Sequence, residues 1–266
     1  MPKPLERQFA TRPSLTKYLT EQFPESAANG PDTSPIPGGR DAANAALAKI
    51  NPAQYERDRN FLNGSVSQLS PYLRHGVLSL AEARRQALKA GRNAEKFITE
   101  LAWRDYWQRL YQQLGNGIWL DREETKTGLR PSDYKPDLPT DLTDAATTLA
   151  CMDSFVADLK STGYLHNHAR MWFAAYVVHF RRVQWQAGAH WFLKHLLDGD
   201  PASNNLSWQW VASTFSNKPY IFNRENLERY TNSIYCRRCP HAQQQCPFDA
   251  SYEDLSARLF KIEVAR

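Results

Sequence analysis

"YLHNHARMWFAAYVVHFRRVQWQAG", residues 164–188, carries apolar side chains at the three- and four-residue spacing that gathers them on one face of a helix. Its densest part, "MWFAAYVVHF" at 171–180, is interrupted by His179 and falls far short of the roughly 20 apolar residues needed to span a bilayer. It therefore reads as core helix. The same periodicity recurs in "RDAANAALAKI" (40–50), "SLAEARRQALKA" (79–90), "AEKFITELAWRDYWQRLYQQLG" (94–115), "TLACMDSFVADLKSTG" (148–163) and "HWFLKHLLDG" (190–199). Alternating strand patterns are almost absent. Gly115, Gly163, Gly188 and Gly199 stand where helices are expected to end. The predicted fold class is all-α.

With 266 residues, 42% of them hydrophobic and 12% aromatic, the chain can bury a sizeable core. Lys and Arg exceed Asp and Glu by 33 to 28, a net +5 that suits a phosphate-bearing partner and equally fits an ordinary basic surface. The N-terminal "MPKPLERQFATRPSLTKYL" lacks a continuous apolar stretch with a small-residue cleavage site, so the expected compartment is the cytoplasm, with no membrane partner. Residues 27–40, "AANGPDTSPIPGGR", are rich in Pro, Gly and Ser and read as a flexible connection. The expected organisation is an N-terminal extension and linker over 1–40 followed by one helical domain over 41–266. A polar stretch at 121–141, "DREETKTGLRPSDYKPDLPTD", reads as a long surface loop within that domain.

Three segments concentrate polar and aromatic groups in a way a core alone does not require. "NNLSWQWVAS" at 204–213 holds two of the eight tryptophans behind paired asparagines, and buried indole N–H and amide groups all need partners. A flat ligand with polar edges would supply them. In "TELAWRDYW" (99–107), Glu100, Trp103, Arg104 and Trp107 share a helix face; the simpler account is an i,i+4 ion pair beside a core stripe. In "YLHNHARMW", Asn167, Arg170 and Met171 share a face with Ala174, and an inward Arg needs a partner that "LLDGDPASNN" offers in Asp198 or Asp200.

Together these stretches resemble the FAD-binding domain of the photolyase/cryptochrome family. The resemblance runs from about Tyr55 to the C-terminus through "YERDRNFLNGSVSQLSPYLRHGVLS", "ELAWRDYW", "GYLHNHARM", "LDGDPASNNLSWQW" and "PYIFN", in the family's order. It implies that Tyr55, Ser67, Gln68, Leu69 and Ser70 hold the diphosphate and ribityl chain of FAD; Val66 stands where the family usually carries Thr. It further implies an Arg170–Asp198 ion pair over the isoalloxazine, Asp200 at the pyrimidine edge of that ring and Asn204 near its N5. Glu100, Trp103, Asn167, Met171 and Trp210 match the pocket for a pyrimidine dimer in repair enzymes, and Arg104 serves either that pocket or the flavin. An N-terminal α/β antenna domain is not expected. Of the family's three-tryptophan electron wire, Trp208 and Trp185 are matched; no tryptophan stands at the third position, leaving Trp191, Trp172 or Tyr134 as substitutes.

Cys236 and Cys239 form a C-x-x-C, Cys246 follows before a proline, and Cys151 lies in an earlier helix. Without a secretory signal, four thiols point to a metal site or free thiols rather than disulfides, and a Cys₄ set holds [4Fe–4S] or zinc. "YCRRCPHAQQQCPF" resembles the C-terminal part of iron–sulfur bacterial cryptochromes and photolyases, which implies a [4Fe–4S] cluster. The resulting expectation is a monomeric FAD enzyme that repairs cyclobutane pyrimidine dimers in UV-damaged nucleic acid, single strands favoured, by electron transfer from excited reduced flavin. The alternative is a blue-light photoreceptor that binds FAD without repair.

Overall fold

A computed structural model describes residues 4–29, 34–91, 93–243 and 245–261. Among them there is no strand, only an isolated parallel bridge between Lys135 and Val183. Two helices, α1 (Arg12–Gln22) and α2 (Pro24–Asn29), precede a body that opens with α3 (Arg40–Ala48), α4 (Pro52–Asp58), α5 (Ser70–Arg74) and α6 (Leu80–Lys89). The long α7 (Glu95–Leu114) is followed by an irregular stretch with α8 (Thr140–Thr143). The remaining helices are α9 (Ala150–Thr162), α10 (Asn167–Ala175), α11 (Trp185–His195), α12 (Pro201–Ala212), α13 (Arg224–Thr231) and α14 (Tyr252–Leu259). None of the described helices is long and apolar enough to cross a membrane.

Side-chain caps start several of these helices. Ser79 and Glu82 form a capping box on α6, and Asp200 accepts from the Ser203 N–H of α12 behind a helix-opening Pro201. Two apolar clusters result. The larger is built by α9–α12 with Phe222 and Phe248, around the fully buried Phe155, Trp172, Phe173 and Phe192. The smaller joins α3, α5, α6 and α7 through Ala43, Leu69, Tyr72, Ala83 and Phe97. Cavities lie where the two clusters face each other, with Tyr72 and Phe97 on one wall and Tyr164 on the other.

The structure corrects several expectations. The stretch 164–188 is not one helix: α10 gives way to a π-helical turn over Tyr176–Phe180, Arg182 adopts a left-handed φ of 54°, and a new helix starts at Trp185. Gly115 and Gly163 do cap α7 and α9, but Gly188 lies inside α11 and Gly199 in the turn before α12. Gly188 is small for a packing reason: a Cβ there would sit 2.2 Å from the ring of Trp208. The connection at 27–40 is also not free chain. Its first residues belong to α2, residues 30–33 lie outside the described set, and Ser34 and Pro37 accept or donate hydrogen bonds with Thr162 and Tyr72. In the 121–141 stretch Thr127 and Leu129 are buried, so it is only partly a surface loop.

Candidate functional site

The loop between α4 and α5 begins the site. Gly64 turns it tightly under the Asp58 carbonyl, the Ser65 N–H donates to the Asp58 carboxylate at 2.8 Å, and Gln68 takes a left-handed φ of 50°. A non-glycine residue held there is backbone strain of the kind that collects at ligand sites. Val66, Ser67 and Gln68 face two adjoining cavities of about 770 and 320 Å³. Tyr55 lines both, and burial, followed by the nearby Glu100, pushes its phenol up to about 12, so it stays neutral. Leu69 and Ser70 line the second cavity together with Glu100, Arg104, Asn167, Arg170 and Asp198.

The second cavity adjoins a third, of about 120 Å³, through Asn167, Arg170, Asp198 and Ser203. Met171, Asp200, Asn204 and Trp208 line this innermost chamber. Between the chambers Arg170 Nη2 donates to both Asp198 oxygens at 3.0 and 2.8 Å, while its Nε donates to the Leu165 carbonyl at 2.8 Å. Burial pushes the Asp198 carboxyl up, but the charge and hydrogen bonds of Arg170, with Ser70 and Arg104, outweigh that and hold it below the usual carboxylate range. Asp200 is buried too, and its carboxylate accepts from Gln108 at 2.6 Å with Arg104 at 3.7 Å and Arg74 at 4.0 Å. It thus caps α12 and anchors α7 to it. Asn204 Nδ2 donates to the Ala189 carbonyl at 3.0 Å.

The expected Glu100–Arg104 pair is absent from α7. Glu100 instead pairs with Lys96 at 2.6 Å, one turn earlier, which leaves Arg104 to reach Asp200. Nor is the face a buried stripe: Trp103 is 47% exposed and Trp210, on α12, 42% exposed. Trp103 stacks on Trp107 at 5.4 Å, Trp107 meets Phe215 at 6.0 Å, and Trp210 lies against Tyr220 at 5.4 Å.

The residues present fit a polar ligand in the cavities. The Ser203 hydroxyl, on the wall shared by the second and third chambers, is buried without a hydrogen-bond partner, as is the Asn205 Nδ2 two residues on in α12. Such orphans cost about 1–3 kcal/mol each unless something satisfies them. Trp208 and Trp185 are both buried; Trp185 Nε1 donates to Asp121 at 2.6 Å, and a parallel Trp119 lies 6.3 Å from it. Trp119, Ser203 and Tyr164 were not singled out by sequence. No spacing rule marks a single Trp after a helix end, although the orphaned Ser203 sits within the quoted "LDGDPASNN".

Cys151, Cys236, Cys239 and Cys246 are all free and line one small cavity with Leu227 and Phe248. Burial, with the three other sulfurs adding to it, pushes the Cys151 thiol well up, and burial likewise raises Cys236 to about 12. Metal entry must therefore displace protons. Among the described residues no three His, Cys, Asp or Glu side chains are grouped closely enough to hold a single metal ion. A tetrahedral zinc needs sulfurs drawn in to about 2.3 Å from one centre.

Residues 97–242 match the family model for the FAD-binding domain of DNA photolyase. The deoxyribodipyrimidine photo-lyases of Streptomyces griseus and a Synechococcus strain are 35% and 32% identical over 61% and 68% of this chain. That of Halobacterium salinarum is 30% identical over 85% of it. The chain spans 35%, 40% and 54% of the length of these three relatives. In fold it is similar to a Synechocystis cryptochrome (TM-score 0.68, 23% identity, 77% of this chain and 46% of that one). A class III photolyase from Agrobacterium tumefaciens is similar over 96% of this chain and 61% of its own (TM-score 0.68, 21% identity). The chain belongs to the photolyase family of FAD-binding domains.

Proposed function

We propose that this chain binds FAD non-covalently in the three adjoining cavities and uses blue light to split cyclobutane pyrimidine dimers in nucleic acid. The observation that carries the reading is the pairing of an inner polar chamber with an exposed aromatic rim. Glu100 and Arg104 on the cavity wall flank Trp103 in the α7 register, and Ser207 precedes Trp210 by one turn of α12. Bound there, reduced FAD supplies a light-driven one-electron donor. Arg170 and Asp198 orient the ring system, Ser67, Gln68 and Ser70 receive the polar chain, and the ligand gives the unmatched Ser203 hydroxyl its partner.

Trp103 and Trp210 take the flipped dimer. A dimer stacks and pairs poorly, so extruding it costs less than extruding an intact base. Single strands need no duplex opening, and a net charge of only +5 offers limited grip on a duplex. Trp103→Ala should remove stacking worth roughly 1–3 kcal/mol, about one to two powers of ten in affinity for damaged strands. Glu100→Gln should lower repair yield with binding nearly kept, if the Glu100 carboxyl donates a proton-bearing hydrogen bond to the base edge, since such a bond strengthens as the dimer gains negative charge. The deciding assay is light-driven repair of defined dimers in single- and double-stranded oligonucleotides. Intact dimers in every substrate, with reduced FAD bound, would leave the photoreceptor alternative.

The four cysteines, in this reading, hold a [4Fe–4S] cluster that ties the α13 and C-terminal segments to α9. What supports it is their convergence on one cavity wall. Anaerobic protein should contain about four iron per chain, as a Cys₄ cubane requires, and Cys239→Ser should lower the melting temperature. Stoichiometric zinc would keep the site and remove its redox role; neither metal, with an unchanged melting curve, would mean free thiols.

A further inference from the structure

We propose that residues 34–39 are a hinged strap that closes the largest of the three cavities and sets the rate at which its ligand, FAD in the reading above, enters and leaves. The proposal rests on that reading. Pro35, Ile36 and Pro37 line this cavity of about 770 Å³ together with the loop residues Val66, Ser67 and Gln68. The strap is fastened on both sides of the seam between the apolar clusters. Ser34 Oγ donates to the carbonyl of Thr162, the last residue of α9, and the Tyr72 hydroxyl donates to the Pro37 carbonyl at 2.8 Å. Tyr72 belongs to the smaller cluster, while α9 carries Phe155 and Leu159 of the larger one. Thr162 and Tyr72 themselves line the cavity, so both fastenings stand at its wall.

Composition makes this segment stiff in its middle and free at one end. The rings of Pro35 and Pro37 fix their own φ angles and keep the preceding residues, Ser34 and Ile36, extended. Gly38 and Gly39 follow. Gly39 stands at the N-cap of α3 with a φ of 87°, in the left-handed region that suits glycine, and a Cβ on either residue would meet no atom of the described residues within 4 Å. The pair is a pivot with open space around it. Among the described residues neither apolar cluster includes a residue of the strap, and Pro35 and Pro37 are exposed. The Ser34 carbonyl also accepts from Arg12 of α1, a helix with no buried residue among those described, so this contact couples the strap to α1 without burying it. The closed position therefore depends on side-chain hydrogen bonds, whose net gain over bonds to water is small. Such a segment can open while both clusters stay folded.

Stopped-flow uptake and release of FAD test the strap. Ser34→Ala and Tyr72→Phe each remove one fastening and leave the apolar clusters whole. Because entry and exit both pass the open strap, each variant should speed uptake and release alike, severalfold, with the dissociation constant nearly kept. The double variant should approach the product of the two. Gly38→Ala fits the closed strap without a clash and stiffens its pivot, so it should slow both steps. A group that only touches bound FAD would speed release and leave uptake as it was. That result, or unchanged rates in the double variant, overturns the proposal.

Hydrogen exchange in the flavin-free chain reads the same motion without a ligand. The Ile36 N–H donates to Ser34 Oγ at 3.1 Å, and the Ala43 N–H of α3 donates to the Gly39 carbonyl at 3.1 Å. Tyr72→Phe should speed exchange at Ile36 severalfold and leave Ala43 as in wild type. An equal change at both amides, or none at Ile36, overturns the strap whether or not flavin binds. A chain that takes up no FAD while Ile36 responds as expected would instead overturn the FAD reading alone.

Discussion

Asp198→Ala should destabilise the chain by about 3 kcal/mol and leave it unable to retain FAD. Removing one partner of a buried ion pair typically costs about 3–5 kcal/mol, because the remaining charge is stranded. The lower end applies here. Arg170 keeps the Leu165 carbonyl and the face of Tyr164, 5.6 Å from its guanidinium, and its side chain is 24% exposed. FAD should suffer more than the fold, since Arg170 freed from Asp198 no longer has a fixed direction between the second and third chambers. Asp198→Asn keeps an acceptor and loses the charge, so its melting temperature should fall less while its flavin content still drops. The pairing holds the Asp198 carboxyl below its unfolded value, so its stabilisation is complete above the ordinary carboxylate range and is lost as acid protonates it. Wild type should therefore lose more stability on acidification than Asp198→Asn. Equal acid sensitivity and full flavin content in the variant would place the cofactor elsewhere.

The helical class was legible because its signal is redundant: five separate stretches repeat the same period, and no strand pattern competes. What failed was local. Period alone cannot see that the turn at Tyr176–Phe180 widens into a π-helix, because the apolar spacing stays compatible with both. Gly188 looked like a stop because glycine often follows a last turn, whereas its reason is the indole of Trp208 from another helix, a contact that only the folded chain creates. Glu100 and Arg104 obey i,i+4 arithmetic, yet Lys96 obeys it as well, and Asp200 draws Arg104 across to α12. Residues of the cavity wall were legible through motif order: Ser67, Asn167, Arg170 and Asp198 are distant in sequence and share one chamber. Trp119 was not, since its meaning comes from a stacking partner 66 positions away in the chain.

The position of the cavities follows from how the two apolar clusters pack. The cavity runs along the seam between two apolar clusters, so its polar lining is supplied by loops and helix ends while rigid helices fix the distances. The α12 helix alone contributes the cap Asp200, the unmatched Ser203, Asn204 and Trp208 inward, and Trp210 to the surface. Shifts in α12 would thus move the cavity wall and the exposed Trp210 together.

Gly64→Ala should abolish FAD retention while leaving the larger apolar cluster folded. An added Cβ would fall 2.0 Å from the Asp58 carbonyl oxygen and 2.9 Å from that of Phe61. Neither neighbour is a flexible side-chain end that could swing aside. The Asp58 and Phe61 carbonyls are held in their own turn, where the Phe61 N–H donates to Asp58 and the Gly64 N–H to Phe61, both at 2.9 Å. Relief therefore requires the loop itself to move, and forced backbone shifts of this kind cost on the order of 1–3 kcal/mol. The movement passes directly into Ser65, whose N–H bonds the Asp58 carboxylate, and on to Val66, Ser67 and Gln68. Because Gln68 already sits at a strained φ, that loop has little slack to restore its shape. Phe155, Trp172 and Phe192 lie deep in the larger cluster, which the turn meets at its edge through Leu62, so helical circular dichroism should persist. The measurement is the flavin-to-protein ratio after gel filtration, beside a melting curve with and without added FAD. Wild type should gain stability from FAD by mass action and the variant should gain none; a variant that keeps both its flavin and that gain would show that this loop does not hold the cofactor.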